Sequence, residues 1–177
     1  MAPVALDDVT ARRPVEHAVA SLFRSEYRAL VRMAALLLDD VGASEEVVQD
    51  AFVKLQSGWG RLRDPAKAPA WLRSAVLNGA RSRLRHRQVR RRHLESVPPP
   101  APSAEAGAML GAEHHTVMEA LRTLPPRQRE ALVLKFYVNL AEAEIAAAMG
   151  VSTGTVKTHV HRGLAALQAT LGPEEDR

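Results

Sequence analysis

The sequence predicts an all-α chain built as two small helical domains joined by a proline-rich linker. Three observations predict it. Apolar residues recur at three- and four-residue spacing in both halves, and no segment shows the strict alternation of a half-buried strand. Residues 98–102 place four prolines in five positions, which prevents helix and strand alike and favours an extended polyproline conformation. The length, 177 residues, suits one ordinary domain or two small ones. The expected boundaries are a mobile arm over 1–17, a helical domain over 18–95, a linker over 96–115, a second helical domain over 116–171 and a tail over 172–177.

In the first half a helix is expected from Ser21, carried by Phe23, Tyr27, Leu30, Val31, Ala34 and Leu38 and ending near Asp39–Gly42. Ser44 stands where an N-cap belongs, with Glu45 and Glu46 placed to favour the helix dipole. The helix that follows runs to about Gln56. Its apolar stripe is Val48, Ala51, Phe52 and Leu55, and its opposite stripe is Glu46, Gln49, Asp50 and Val53. The Ser57–Gly60 segment breaks the pattern, and a long helix is expected from Pro69 to about Arg92. Leu72, Ala75, Val76 and Ala80 form its apolar face, while Arg73, Arg81 and Arg85 lie on another. On spacing alone, Trp71 reads first as helix core.

In the second half, Val117, Leu121 and Leu124 mark one helix, and a Pro125–Pro126 start opens another over Arg127–Tyr137. A short helix over Ala143–Met149 ends at Gly150. Ser152 then caps a last helix running to about Leu171, with the stripe Val156, Val160, Leu164 and Leu167. Ala141 falls at the expected N-cap of the short helix, where alanine costs roughly 0.5–2 kcal/mol against serine or threonine.

The composition narrows the classes of activity. There are no cysteines, so disulfides, cysteine-liganded metal and thiol chemistry are excluded. The first residues carry no apolar secretory segment, and no window is long and apolar enough to insert in a membrane, so the expected location is cytoplasmic. The formal net charge of +4 hides an asymmetry. Residues 36–56 hold five acids against Lys54, whereas residues 57–92 hold ten arginines and one lysine against Asp64. Residues 151–171 carry Lys157, Arg162 and two histidines with no acid. A basic block of this kind is either a solvated face or a phosphate-binding surface. In the second case arginine's planar fork suits phosphates and guanine edges, and released counterions drive association.

Residues 140–164 carry the sharpest local signal. A short helix, a tight turn at Gly150 and a second capped helix make a helix-turn-helix, whose second helix enters the major groove of DNA. Ile145, Val151 and Val156 are placed to pack the two helices together. Thr153, Gly154, Thr155, Lys157, Thr158, His161 and Arg162 fall on the stretch expected to face DNA, with Gly154 letting backbone approach a phosphate. Catalytic constellations are lacking. His159 and His161 are two apart and point to different helix faces, no metal-ligand spacing occurs, and no phosphate-binding loop or nucleophile motif is found. No catalytic residue, metal or cofactor is therefore expected.

The order of these features resembles the sigma-70 family of RNA polymerase sigma factors, in its extracytoplasmic-function (ECF) group. FRSEYRALVRMAALLLDD is similar to region 2.1, ASEEVVQDAFVKLQSGW to region 2.2, and RLRDPAKAPAWLRSAVLNGARSRLRHRQVRRR to regions 2.3 and 2.4. LRTLPPRQREALVLKFYVNL is similar to region 4.1, and the helix-turn-helix to region 4.2. The resemblance implies a non-enzymatic subunit that directs promoter-specific initiation. Its core-polymerase face would be Glu46, Gln49, Asp50 and Val53, docked on the clamp helices of the largest subunit, with a further contact to the flap of the second subunit. Trp71, Arg73, Asn78, Arg81 and Arg85 would hold the melted −10 element. Thr153 to Arg162 would read the −35 element as duplex, and an anti-sigma factor would be a partner. The chain departs from the common family pattern at Gly79, Ser82, His159 and His161. The same helix-turn-helix also resembles that of LuxR-type activators, which gives an alternative reading as an activator outside the polymerase. A third, a small hydrolase with a basic groove, lacks any nucleophile or metal constellation.

Overall fold

The computed structural model describes the backbone of residues 6–93 and 115–171. The segments 1–5, 94–114 and 172–177 lie outside the described residues, and with them almost all of the expected linker and the whole expected tail. Every described element is helical: α1 (Leu6–Leu38), α2 (Val41–Gly58), α3 (Ala68–His93), α4 (His115–Thr123), α5 (Pro126–Leu132), α6 (Glu142–Met149) and α7 (Thr153–Leu171). Two single 3-10 turns, Trp59–Arg61 and Pro65–Lys67, lead into α3, and a π-helical turn over Val133–Tyr137 extends α5.

Helix α1 starts at Leu6, well ahead of Ser21, so residues 6–17 of the expected arm are helical. The apolar row continues upstream through Val15, Val19 and Leu22, all of which pack on the core. Packing of that face, rather than the polar composition around it, carries the helix upstream of Ser21 as far as Val15.

The chain reverses at Asp39, whose φ of 55° is left-handed, a conformation a short polar side chain tolerates. Asp40 then caps α2: its carboxylate accepts from the Ala43 N–H at 2.8 Å. Ser44 is therefore not the cap. It is fully buried one turn into the helix, and its hydroxyl donates to the Asp40 carbonyl at 2.6 Å. The acid reaches the free amides of the first turn four residues earlier, which leaves serine to satisfy itself against the backbone.

Helices α1, α2 and α3 enclose an aliphatic core of Leu30, Met33, Leu37, Val48, Leu55, Leu72 and Val76. The expected α2 stripe is buried in full. Phe23 is 42% exposed and sits at the rim, stacked on Tyr27 at 4.4 Å and edge-on to Phe52 at 5.1 Å.

In the second half, Met118, Leu134, Ile145, Met149 and Val156 are buried. Val117, placed by spacing on the apolar face of α4, is 41% exposed, and Met118 takes the buried position. Leu164 is likewise exposed, while Gly163 is buried where α7 meets α5. A Cβ at Gly163 would stand 3.0 Å from Leu132 Cδ1, so the two helices meet through the missing side chain. Gly150 ends α6 with φ of 67°, the left-handed residue a helix C-terminus uses.

The two halves are packed together. Helix α3 contacts α6, and α1 contacts α4 and α5, so buried residues from 19 to 156 form one continuous cluster.

Candidate nucleic-acid and polymerase interfaces

Helix α2 presents Glu46, Gln49, Asp50 and Val53 to solvent, because Val48, Ala51, Phe52 and Leu55 are drawn into the core on its other side. Val53 is 61% exposed. Gln49 and Asp50 have no side-chain partner among the described residues. Glu46 is different: it is ion-paired with Arg83 of α3 at the surface.

The basic helix α3 is more occupied than its sequence suggests. Arg87 donates to the Leu38 carbonyl at 2.9 Å and to Asp40 at 2.6 Å, and so ties α3 to the α1–α2 turn. Arg81 donates from Nε and Nη2 to the two carboxylate oxygens of Glu130, at 2.9 and 2.7 Å. Of the four arginines between 81 and 87, only Arg85 is exposed with no ion pair among the described residues. The acidic patch and the basic block are thus not wholly separate surfaces, since Glu46–Arg83 and Asp40–Arg87 bridge them.

The other −10 candidates are arranged around these pairs. Asn78 is exposed and its amide oxygen accepts from Arg81 Nη1 at 3.0 Å. Trp71 and Arg73 are half-buried, and Trp71 packs on the core. Asn78, Arg81 and Arg85 line an open cleft whose far wall is Pro126 and Arg127 of the second half.

In the helix-turn-helix the structure brings the predicted face together. Ser152 caps α7, accepting from the Thr155 N–H at 3.1 Å, and the two hydroxyls lie 2.9 Å apart. Thr155 is half-buried in this arrangement and belongs to the cap. Thr153, Gly154, Lys157, Thr158, His161 and Arg162 are exposed, while Val156 between them is fully buried. A Cβ at Gly154 would meet only the Ser152 hydroxyl, at 3.8 Å, so nothing inside the fold requires glycine there. Lys157 lies 3.7 Å from Glu142 in an exposed pair, and the Thr158 hydroxyl donates to the Gly154 carbonyl at 3.0 Å. Among the described residues no cluster of three or more metal-ligating side chains forms, and no helix is long and apolar enough to cross a membrane.

Sequence reasoning missed two features. Phe136 (59% exposed) and Tyr137 (39%) form an outward aromatic pair on the π-helical turn. The extra residue of that turn shifts the helical period, and nothing in the sequence announces the shift. The second is the charged seam between the halves. Besides Arg81–Glu130, Arg122 pairs with Asp39, and Arg129 donates to the Leu37 carbonyl at 3.1 Å. Burial pulls the Arg129 pKa down, Asp39 pushes it back up, and Arg122 adds to the lowering.

Residues 22–90 match the family model of sigma-70 region 2, and residues 114–167 that of sigma-70 region 4. The chain is 34% identical over 151 residues to the RNA polymerase sigma-E factor of Streptomyces avermitilis, covering 84% of this chain and 82% of that protein. It is 32% identical over 158 residues to the ECF RNA polymerase sigma factor SigM of Mycobacterium tuberculosis, covering 88% and 78%. In fold it is similar to the sigma factor RpoE from Bartonella quintana, solved in complex with the anti-sigma factor NepR. The TM-score is 0.68 at 23% identity, over 89% of this chain and 99% of that one. It is also similar to CnrH in complex with the cytosolic domain of CnrY, with a TM-score of 0.66 at 24% identity, over 93% and 98%. The chain belongs to the sigma-70 family of RNA polymerase sigma factors, in its ECF group. Its function is that of an alternative sigma factor, which joins core RNA polymerase and directs it to promoter DNA. The LuxR-type reading is not favoured, since a region 2 match accompanies the helix-turn-helix.

Proposed function

We propose that three surfaces divide the work of this sigma factor. Glu46, Gln49, Asp50 and Val53 of α2 dock on the clamp helices of the largest polymerase subunit. Trp71, Arg73, Asn78, Arg81 and Arg85 of α3 hold the opened −10 strand, where unstacking a base costs a few kcal/mol that phosphate and pocket contacts must offset. The N-terminal half of α7, Thr153 to Arg162, reads the −35 duplex, with Thr155 serving through the cap it shares with Ser152. The exposed Phe136–Tyr137 pair is an apolar surface of the second half open to the polymerase flap. The functional units are 18–95 and 116–171, joined by the proline-rich segment 96–115, whose residues 96–113 would reach on the order of 55 Å when extended.

The observation that carries this reading is the pattern on α7. Six residues at the start of one capped helix are exposed, and the apolar residue between them is buried. This is what a helix entering a groove requires. The protein acts in the cytoplasm, performs no catalysis of its own, and is held in check by an anti-sigma factor, as the partners of two fold relatives suggest. The experiment is run-off transcription with purified chain, core polymerase and a library of genomic fragments, followed by footprinting. Initiation at a defined subset of sites, with protection upstream at the −35 spacing, supports the reading. Initiation no more selective than that of core polymerase alone overturns it.

A further inference from the structure

We propose that the free chain is closed by an internal latch, in which Glu130 of the second half occupies Arg81 of the α3 face and must release it before that face can take promoter DNA. The proposal rests on the reading that Arg81 belongs to the −10 surface.

The contact is built with care on both sides. Glu130 is 3% exposed, and both of its carboxylate oxygens are engaged. The Arg81 guanidinium meets them in parallel, a geometry that fixes distance and angle together and is stronger than a single charged contact. Arg127 adds a second cation at 3.1 Å from Oε2. The Met149 carbonyl at the end of α6 accepts from Arg81 at 3.5 Å and from Arg127 at 3.4 Å. Residues 49 apart in sequence are thereby joined. A second tie lies at the turn after α1, where Arg122 pairs with Asp39 and Arg129 reaches the Leu37 carbonyl.

The seam joins these ion pairs to the apolar cluster that runs across both halves, and buried ion pairs seldom outdo apolar packing in net stability, so the charged part is the part that can be exchanged for another anion. The Nε atoms of both Arg122 and Arg129 are buried with no hydrogen-bond partner, a standing penalty that opening removes. A phosphate backbone offers Arg81 the same bidentate anion that Glu130 does, so DNA and Glu130 compete for one guanidinium. The competition is one-sided. The exposed residues of α7 stay exposed in the closed chain, whereas Arg81 is held. Closure therefore suppresses capture of the opened strand and leaves duplex contact through α7 free.

The chain lacks cysteine, so two can be introduced at the exposed positions Gln56 and Gln168 of the full-length protein and carry spin labels for distance measurement. The wild-type background is expected to give one narrow distance. Glu130→Gln and, separately, Asp39→Asn should broaden and lengthen it. Asparagine keeps the left-handed backbone that residue 39 adopts, so the second variant stands if the first does not fold. Binding of a fluorescent mixed-sequence single-stranded DNA should tighten in both variants. A chain nine-tenths closed would gain up to about tenfold. Binding of duplex DNA should stay unchanged. A wild-type distance already as broad as that of the variants overturns the latch, and so does a narrow distance kept by both folded variants. A distance shift without any gain in single-strand binding overturns the claim that Glu130 competes with DNA for Arg81. Core-polymerase capture, run in parallel, reports on the sigma-factor surfaces separately, so their failure would be visible with the latch intact.

Discussion

Gly79 of α3 lies directly against Val47 of α2: a Cβ at position 79 would stand 2.7 Å from Val47 Cγ1. Real Cβ atoms do not approach that closely, so the helices meet through the absent side chain. The atom in the way belongs to a stiff β-branched residue that is itself buried. A mid-helix glycine costs about 1 kcal/mol against alanine, and here the close approach of two helices offsets it. Gly79→Leu should destabilise the fold by about 1–3 kcal/mol through overpacking. Adding Val47→Ala should restore part of that loss. Urea unfolding of the two single variants and the pair decides it, and additive losses would show that residues 47 and 79 do not share the space.

Ala141 is a second local fault whose remedy is already half built. Its backbone is extended, as an N-cap requires, and the Glu144 carboxylate accepts from its N–H at 2.9 Å. That is one arm of a capping box. The other arm needs an acceptor that a methyl group cannot supply. Ala141→Ser should raise stability by roughly 0.5–1 kcal/mol, because the receiving geometry exists. Its affinity for duplex DNA should match that of the parent. A melting temperature that does not rise would mean that water already satisfies the α6 amides.

These two sites also mark where sequence reading succeeds and where it stops. The Ser152 cap, the α2 stripe and the exposed face of α7 follow from spacing, because each is set within one or two helical turns. Ser44 misled, because two acids stand just upstream and only geometry shows which residue reaches the free amides. Gly79 and Gly163 could be seen as weak helix positions, but their purpose depends on a helix remote in sequence. Glu130 was invisible for a related reason. One acid among arginines reads as a solvated charge until the chain brings Arg81 to it. Charge blocks predicted surfaces, and the structure turns part of each block inward.

The α2 face separates into engaged and free residues, and that separation makes the docking proposal testable. Glu46 is tied to Arg83 in an exposed pair of little net worth, while Asp50 has no partner among the described residues. Asp50→Arg should leave stability within about 0.5 kcal/mol of the parent, as surface changes usually do. It should weaken core-polymerase binding by at least tenfold, equivalent to about 1.4 kcal/mol. Calorimetry or competition against a labelled sigma factor measures this. Unchanged affinity would return the acidic stripe to the role of a solvated face.

Salt dependence gives the sharpest test of α7, because it counts contacts. Lys157 and Arg162 are the only lysine or arginine on this helix, and both are exposed. The 3.7 Å approach of Lys157 to Glu142 is too exposed to hold it back from a phosphate. Each cation that neutralises a phosphate of duplex DNA contributes about 0.9 to the slope of log K against log salt. Lys157→Gln and Arg162→Gln should each lower −35 duplex affinity and flatten that slope by about one unit, and the double variant by about two. Binding titrations at several salt concentrations separate the two side chains. A slope indifferent to both glutamine substitutions would mean that α7 approaches DNA through its backbone and Gly154 alone, with neither cation on a phosphate.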